Sequence, residues 1–397
     1  MRSLAPRIRA SVARGFTLVE LLVTLVVVSL LAGAVVAVVI HQTRAYDLST
    51  RMREVVAANR TSVSFIERRL RMAGFGVDPR FAFDFGKTGS VILRDSSTGP
   101  DELVFFARAP GFNRRATTTN ATSLTLDAPL TRPFSPGQVL LLICPTGSGS
   151  AYVTVSGMTG ASTVSLFSAS GAFPRQQVPA CSDPPYVLKV DRYRFFVADV
   201  NEGGRVRSYL MLDQGLEVVP GSRGGFNTTT DRFPEPSDAT PWDGARVLTA
   251  AELQNVTPLA ADVEDFQVAW MMNRPEGASA PTPPVAAPDA DANWIFGDSA
   301  AEQPRPGDTA PAFTDAYLDG KRFSGHPANL RGVRLTLVIR STRPVGRRGV
   351  RPAVENRPAG TVPDAFYRSV ITTQVAIRNM LSRSEFAPVQ VTSGGGS

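Results

Sequence analysis

Histidine and cysteine are scarce in this chain, two of each in 397 residues. His41 and His326 lie far from Cys144 and Cys181 in sequence, and neither cysteine has a C-x-x-C partner, so the sequence offers no zinc-binding cluster. Nucleophilic catalysis lacks its usual frame: no Gly-x-Ser-x-Gly elbow precedes a helix, and Gly147-Ser148-Gly149-Ser150 reads as a turn. Phosphate-binding glycine loops of the Walker or dinucleotide type are also missing. Asp289, Asp291 and Asn293 have the opening spacing of a calcium loop. Trp294 stands where that loop needs glycine, however, and Ala300 where it needs a bidentate glutamate, so the segment reads as an acidic solvated loop. No cofactor and no metal are expected. Two carboxylates would suffice for a glycosidase, and that class stays open on residue types alone.

Net charge is +7, yet Met1–Gly15 holds Arg2, Arg7, Arg9 and Arg14 and no acid. Without those four, 38 basic residues face 35 acidic ones, a balance of +3. A nucleic-acid binder needs a basic stripe. Arg68, Arg69 and Arg71 beside Glu67 read as a solvated helix face. Arg340, Arg343, Arg347, Arg348 and Arg351 read as a solvated loop, the alternative being a contact for an acidic partner. Nucleic acid is therefore not an expected partner.

Proline is absent from Phe16 until Pro79, and Gly33 is the only glycine before Gly74 within that stretch. From Phe16 to Ile40 the only charge is Glu20. At 1.5 Å per residue the run spans roughly 37 Å, enough for a hydrocarbon core of about 30 Å. Four arginines precede it and Arg44 follows, which places the N-terminus in the cytoplasm and the rest of the chain outside. A carboxylate inside such a helix costs roughly 2.5–3.5 kcal/mol at mid-bilayer and so reads as functional. Three readings compete. A secretory signal peptide would use Ala32-Gly33-Ala34 for cleavage, but the run is too long and contains an acid. A plain signal anchor of a periplasmic enzyme or adhesin is the second. The third explains Gly15, Phe16 and Glu20 together.

The order Gly15-Phe16-Thr17-Leu18-Val19-Glu20 resembles the processing site of type IV prepilins and pseudopilins. That resemblance implies cleavage after Gly15 by a prepilin peptidase and methylation of the new Phe16 amine. It also implies that Glu20 pairs with the Phe16 amine of a neighbouring subunit on docking. The physics agrees: a carboxylate in a low-dielectric setting needs a counter-ion. Phe65-Ile66-Glu67-Arg68-Arg69-Leu70-Arg71-Met72-Ala73-Gly74-Phe75-Gly76 resembles the corresponding segment of PilW-type minor pilins, as do Gly332–Ser341 and Tyr367–Asn379. Secretion pseudopilins of the J type are similar over the first of these.

Leu48, Met52, Val55, Val63, Ile66 and Leu70 fall at helical spacing, interrupted by Asn59, and Gly74–Pro79 is a stop signal. The reading is one continuous helix of about 60 residues: a membrane half over 16–40 and an amphipathic half over 41–76. The leader occupies 1–15, an exported head 77–391, and a Gly-Gly-Gly-Ser tail 392–397. Short alternating runs across the head predict antiparallel strands, among them Glu102–Ala107, Gln138–Cys144, Val190–Val197, Val263–Met271 and Gly332–Arg340. Stretches 220–242 and 273–313 read as long loops, either variable surface excursions or contacts for another subunit. The fold class is α+β, a long N-terminal helix packed on a β-rich head. Export would put Cys144 and Cys181 in an oxidising compartment, where a disulfide would contribute about 3–4 kcal/mol; two unpaired buried thiols are the alternative.

The resemblance implies a non-enzymatic minor pilin at or near the tip of a type IV pilus that helps prime assembly. Its implied partners are the prepilin peptidase, other minor pilins, the major pilin, the inner-membrane assembly platform and a large tip adhesin. It would reside in the bacterial inner membrane with a periplasmic head before assembly, and at the extracellular pilus tip afterwards. A type II secretion pseudopilin, or a membrane-anchored adhesin or enzyme, is the alternative.

Overall fold

The computed structural model describes residues 17–380, apart from 85–86, 89–90, 93, 95, 97, 148, 172, 237–245, 273–293, 297–329, 347–348 and 356. The leader with Gly15 and Phe16, the calcium-like spacing at Asp289, Asp291 and Asn293, His326, Arg347, Arg348 and the tail lie outside the described residues. Two compact units emerge, Met1–Glu54 and Val55–Ser397.

Helix α1 spans Leu18–Leu70. In the first unit its apolar run carries Leu, Val, Ile and Ala on every face, and these side chains are exposed. An 18-residue window there has a mean hydropathy of 2.9, long and apolar enough to cross a membrane. In the second unit the helix becomes amphipathic, burying Val55, Asn59, Ser62, Val63, Ile66 and Leu70 along one stripe. The helix ends at Leu70, not at Gly76. Gly74 and Gly76 take positive φ (72° and 61°), which a helix cannot continue. Their segment turns to β-type partners: Gly74 N–H donates to Phe106 O and Arg108 N–H to Phe75 O, both at 2.9 Å.

Fourteen strands follow among the described residues, and every pairing between them is antiparallel. β1 (Lys87–Thr88) and β2 (Val91–Ile92) form a small hairpin. β3 (Leu103–Thr119), β4 (Ser123–Leu126), β5 (Val139–Ile143), β6 (Ser150–Thr159), β7 (Thr163–Leu166), β8 (Tyr186–Glu202), β9 (Arg205–Asp213) and β10 (Val256–Ala261) make one sheet. Its order is β10-β9-β8-β3-β4-β7-β6-β5, and β5 pairs again with β8. Strands β8, β3, β4, β7, β6 and β5 therefore close a six-stranded barrel. The long strand β8 makes this possible: its Tyr186–Val190 end takes β5 on the same edge where Arg194–Glu202 takes β9. Each barrel strand supplies the interior core, including Ala116, Leu124, Leu140, Val153, Val164 and Val187.

The second sheet has the order β12-β11-β13-β14, from β11 (Val263–Met272), β12 (Trp294–Phe296), β13 (Leu330–Arg340) and β14 (Arg368–Ala376). β12 lies inside the stretch 273–313 that the composition reads as a loop. The amphipathic part of α1 packs against faces of both sheets, joining Ile66 and Leu70 to Phe105, Phe195, Phe266, Leu335 and Leu337 in the largest core. A long α-helix on an antiparallel β-rich head is the α+β architecture that the alternating runs and the uninterrupted helical stretch predict.

Candidate assembly site

Thr17 begins the described chain and starts α1: its hydroxyl accepts from Glu20 N–H (3.3 Å) and its carbonyl from Leu21 N–H (3.1 Å). Glu20 thus sits in the first helical turn, where the positive end of the helix dipole favours a carboxylate. Around it Leu18, Val19, Leu21, Leu22 and Val23 are exposed. The hydroxyls nearby are satisfied within the helix: Thr24 donates to Glu20 O and Leu21 O, both at 2.9 Å. Among the described residues no cation pairs with the Glu20 carboxylate. The result is an exposed apolar cylinder with one acid near its tip, a surface suited to a membrane or to another helix that brings a cation. Phe16 and Gly15 lie outside the described residues.

At the other end of α1, polar contacts fix the helix in the head. Asn59 is fully buried, and its amide donates to Leu337 O (3.2 Å) on β13 and Ser369 O (2.8 Å) on β14. Glu67 accepts from the Thr373 hydroxyl. Asn379, just past β14, donates to Arg71 O (3.2 Å) and Ala73 O (3.1 Å). In the sequence Asn59 looks like an interruption of the apolar stripe; the structure makes it part of that stripe. Its signal was available, since an amide at a core position of an amphipathic helix asks for a buried partner.

Cys144, at the end of β5, and Cys181 form a disulfide with a Cα–Cα distance of 5.3 Å. It ties the segment leading into β8 to the barrel wall. Gly149 passes so close that a Cβ there would lie 2.7 Å from Cys144 Sγ.

Sequence reasoning missed an ionic cluster buried where β3, β8 and β9 meet the segments around Arg94 and Glu235. Glu102 accepts from Arg94 Nη1 (2.6 Å), Arg194 Nε (3.0 Å), Arg194 Nη2 (2.8 Å) and Arg246. Glu235 pairs with Arg94 (3.2 Å), Arg194 (3.5 Å), Arg232 (3.4 Å) and Arg192. Asp213 pairs with Arg223 and lies 3.6 Å from Arg194. Burial alone would raise the Glu102 pKa, but Arg194, Arg94 and Arg246 outweigh it and hold the carboxyl at about 2. Glu235 is likewise held well below the ordinary range, burial being overcome by Arg192, Arg194 and Arg94. Glu102 and Glu235 therefore stay ionised at neutral pH. Arg223, Phe233 and Glu235 come from the 220–242 stretch that composition reads as a loop; these three side chains are buried.

Among the described residues no group of His, Cys, Asp and Glu could hold a metal ion. The family model for the prokaryotic N-terminal methylation motif matches residues 11–36. No curated protein and no solved structure matches the chain significantly. Motif and exposed apolar helix together support a type IV pilin-like or pseudopilin-like protein and are consistent with membrane anchoring before assembly. Such a motif implies processing by a prepilin peptidase.

Proposed function

We propose that the chain is a minor pilin that docks at or near the tip of a type IV pilus and helps prime pilus assembly. The reading rests on one combination: a prepilin-type N-terminal helix joined to an unusually large head. The unit Val55–Ser397 far exceeds the typical domain of about 100–150 residues. Repeated along a closely packed helical shaft, such heads would crowd one another, whereas a tip or initiating position has room. Glu20 lets the subunit dock onto a neighbour through that neighbour's N-terminal amine. The chain performs no reaction in this scheme and is the substrate of the peptidase. Its partners are other minor pilins, the major pilin, the inner-membrane assembly platform and a tip adhesin. The head is periplasmic before assembly and extracellular afterwards.

Intact-mass analysis of the exported protein tests the class. The expected N-terminus is methylated Phe16; recovery of Met1 or Val35 would refute it. A deletion strain tests the finer reading: loss of surface pili and motility supports the minor pilin, and loss of protein secretion with intact pili assigns the chain to a secretion pseudopilus instead.

A further inference from the structure

The turn that ends α1 gathers exposed cations around one half-buried arginine. Arg68 and Arg71 lie on its exposed side. Because residues 74 and 75 hydrogen-bond to β3, Arg108 lies alongside, its side chain folded over Gly76 with Cδ 3.0 Å from where a Cβ would stand. Arg378 is exposed and arrives next to Asn379, whose amide holds Arg71 O at 3.2 Å and Ala73 O at 3.1 Å. Between Arg71 and Arg108 in the chain stands Phe75, 39% exposed. The nearest acids do not cancel the cations: Glu67 lies 3.9 Å from Arg71 but also binds Thr373, and Asp78 is buried.

Arg108 carries the argument. Elsewhere in the head, arginines drawn into the fold meet carboxylates, as Arg94, Arg194, Arg223 and Arg334 do. Arg108 Nε is shielded from solvent with no hydrogen-bond acceptor, and burial lowers its pKa with no carboxylate in opposition. Its anion is not supplied by the described chain.

We propose that Arg71, Arg108, Arg378 and Phe75 form a docking surface for an acidic segment of a second, different protein, whose carboxylate completes Arg108 and whose apolar side chain covers Phe75. Arginine and exposed aromatic residues side by side are the composition of protein-interface centres. Phosphate-rich partners would use the cations and leave Phe75 uncovered. A second copy of this chain meeting the surface face to face would bring the same cations, and like charges in contact disfavour it. The surface does not depend on the pilin reading.

The test titrates the full-length chain in detergent micelles with a labelled peptide of alternating glutamate and leucine, read by fluorescence anisotropy. The expected result is saturable binding that weakens about tenfold or more in R108Q and in R71Q/R378Q and falls with salt. It is unchanged in R114Q/R132Q, which removes exposed arginines elsewhere in the head. R71Q/R378Q leaves the turn's packing intact and reads the surface even if R108Q loosens it. Absent saturation, equal weakening in R114Q/R132Q, or displacement by inorganic triphosphate as effective as by unlabelled peptide would each overturn the proposal. In cells, a photo-crosslinker at Phe75 should trap a different protein through an acidic segment. Trapping a second copy of this chain, or no protein, refutes the partner assignment.

Discussion

Replacing Glu102 by glutamine keeps the shape of the side chain and removes one charge from the centre of the ionic cluster. Three arginines then lose a shared anion: Arg194, fully buried with its guanidinium 4.2 Å from the Phe196 ring centre, Arg94 and Arg246. Breaking a buried pair by deleting one partner costs about 3–5 kcal/mol, because the surviving charge stays buried. Glu102 gives a matching figure by an independent route. Its pKa falls from 4.5 to about 2 on folding, and at about 1.4 kcal/mol per unit that corresponds to roughly 3 kcal/mol. The sign follows from the depressed value: the contribution is complete above the unfolded pKa of 4.5 and fades as pH falls toward about 2. Urea unfolding of the full-length protein in detergent, followed by tryptophan fluorescence, should therefore show Glu102→Gln less stable by about 3–5 kcal/mol at pH 7. The gap should narrow between pH 4.5 and pH 2 as wild type loses the same charge. A loss under about 1 kcal/mol at pH 7, or a gap independent of pH, would mean that solvent reaches the cluster and the reasoning fails.

Three further outcomes are expected. Converting Cys144 and Cys181 to alanine together should cost about 3–4 kcal/mol in the same unfolding assay, from the freed loop alone, and reductant should lower the wild type to the level of the variant. Asn59→Leu should lower stability by about 1–3 kcal/mol, since the carbonyls of Leu337 and Ser369 lose their buried donor; an unchanged midpoint would show that the amide is dispensable. Glu20→Gln should leave head unfolding unchanged and reduce incorporation into purified filaments; incorporation equal to wild type would remove Glu20 from docking.

The strands were legible wherever one face meets the core and the other meets water, as along β4 and β7, where burial alternates residue by residue. β13 shows where that logic stops. Val333, Leu335, Leu337 and Ile339 alternate with Arg334, Thr336, Val338 and Arg340 and predict a half-buried strand, yet Arg334, Thr336 and Val338 are buried too. Residues from 349 onward cover the second face: Arg334 pairs with Glu355, and Thr336 donates to the same carboxylate at 3.1 Å. A buried ion pair and a solvated one use the same letters, so pattern alone assigns both to water. That explains the missed cluster around Glu102, and it applies to Arg351, which reads as loop charge and pairs with Asp265 at 3.1 Å. Barrel closure was illegible for another reason. It depends on β8 being long enough to take two partners on one edge, and strand length was underestimated as Val190–Val197.

The processing motif, by contrast, was readable because it depends on local order alone. What it leaves open is how the amphipathic part of α1 is seated, and there the structure adds a physical argument. An apolar stripe of Val55, Val63, Ile66 and Leu70 could slide by one helical turn, about 5.4 Å, and still bury comparable area. The amides of Asn59 and Asn379 cannot: after such a slide the first would face apolar side chains and the second would lose the carbonyls of Arg71 and Ala73 in the turn that follows the helix. Each misplaced polar group costs about 1–3 kcal/mol, so two suffice to reject the neighbouring register. Hydrophobic burial supplies most of the adhesion between helix and sheets, and these two asparagines select the one register in which the turn at Gly74 and Gly76 presents Arg71 and Phe75 outward beside Arg108 of β3.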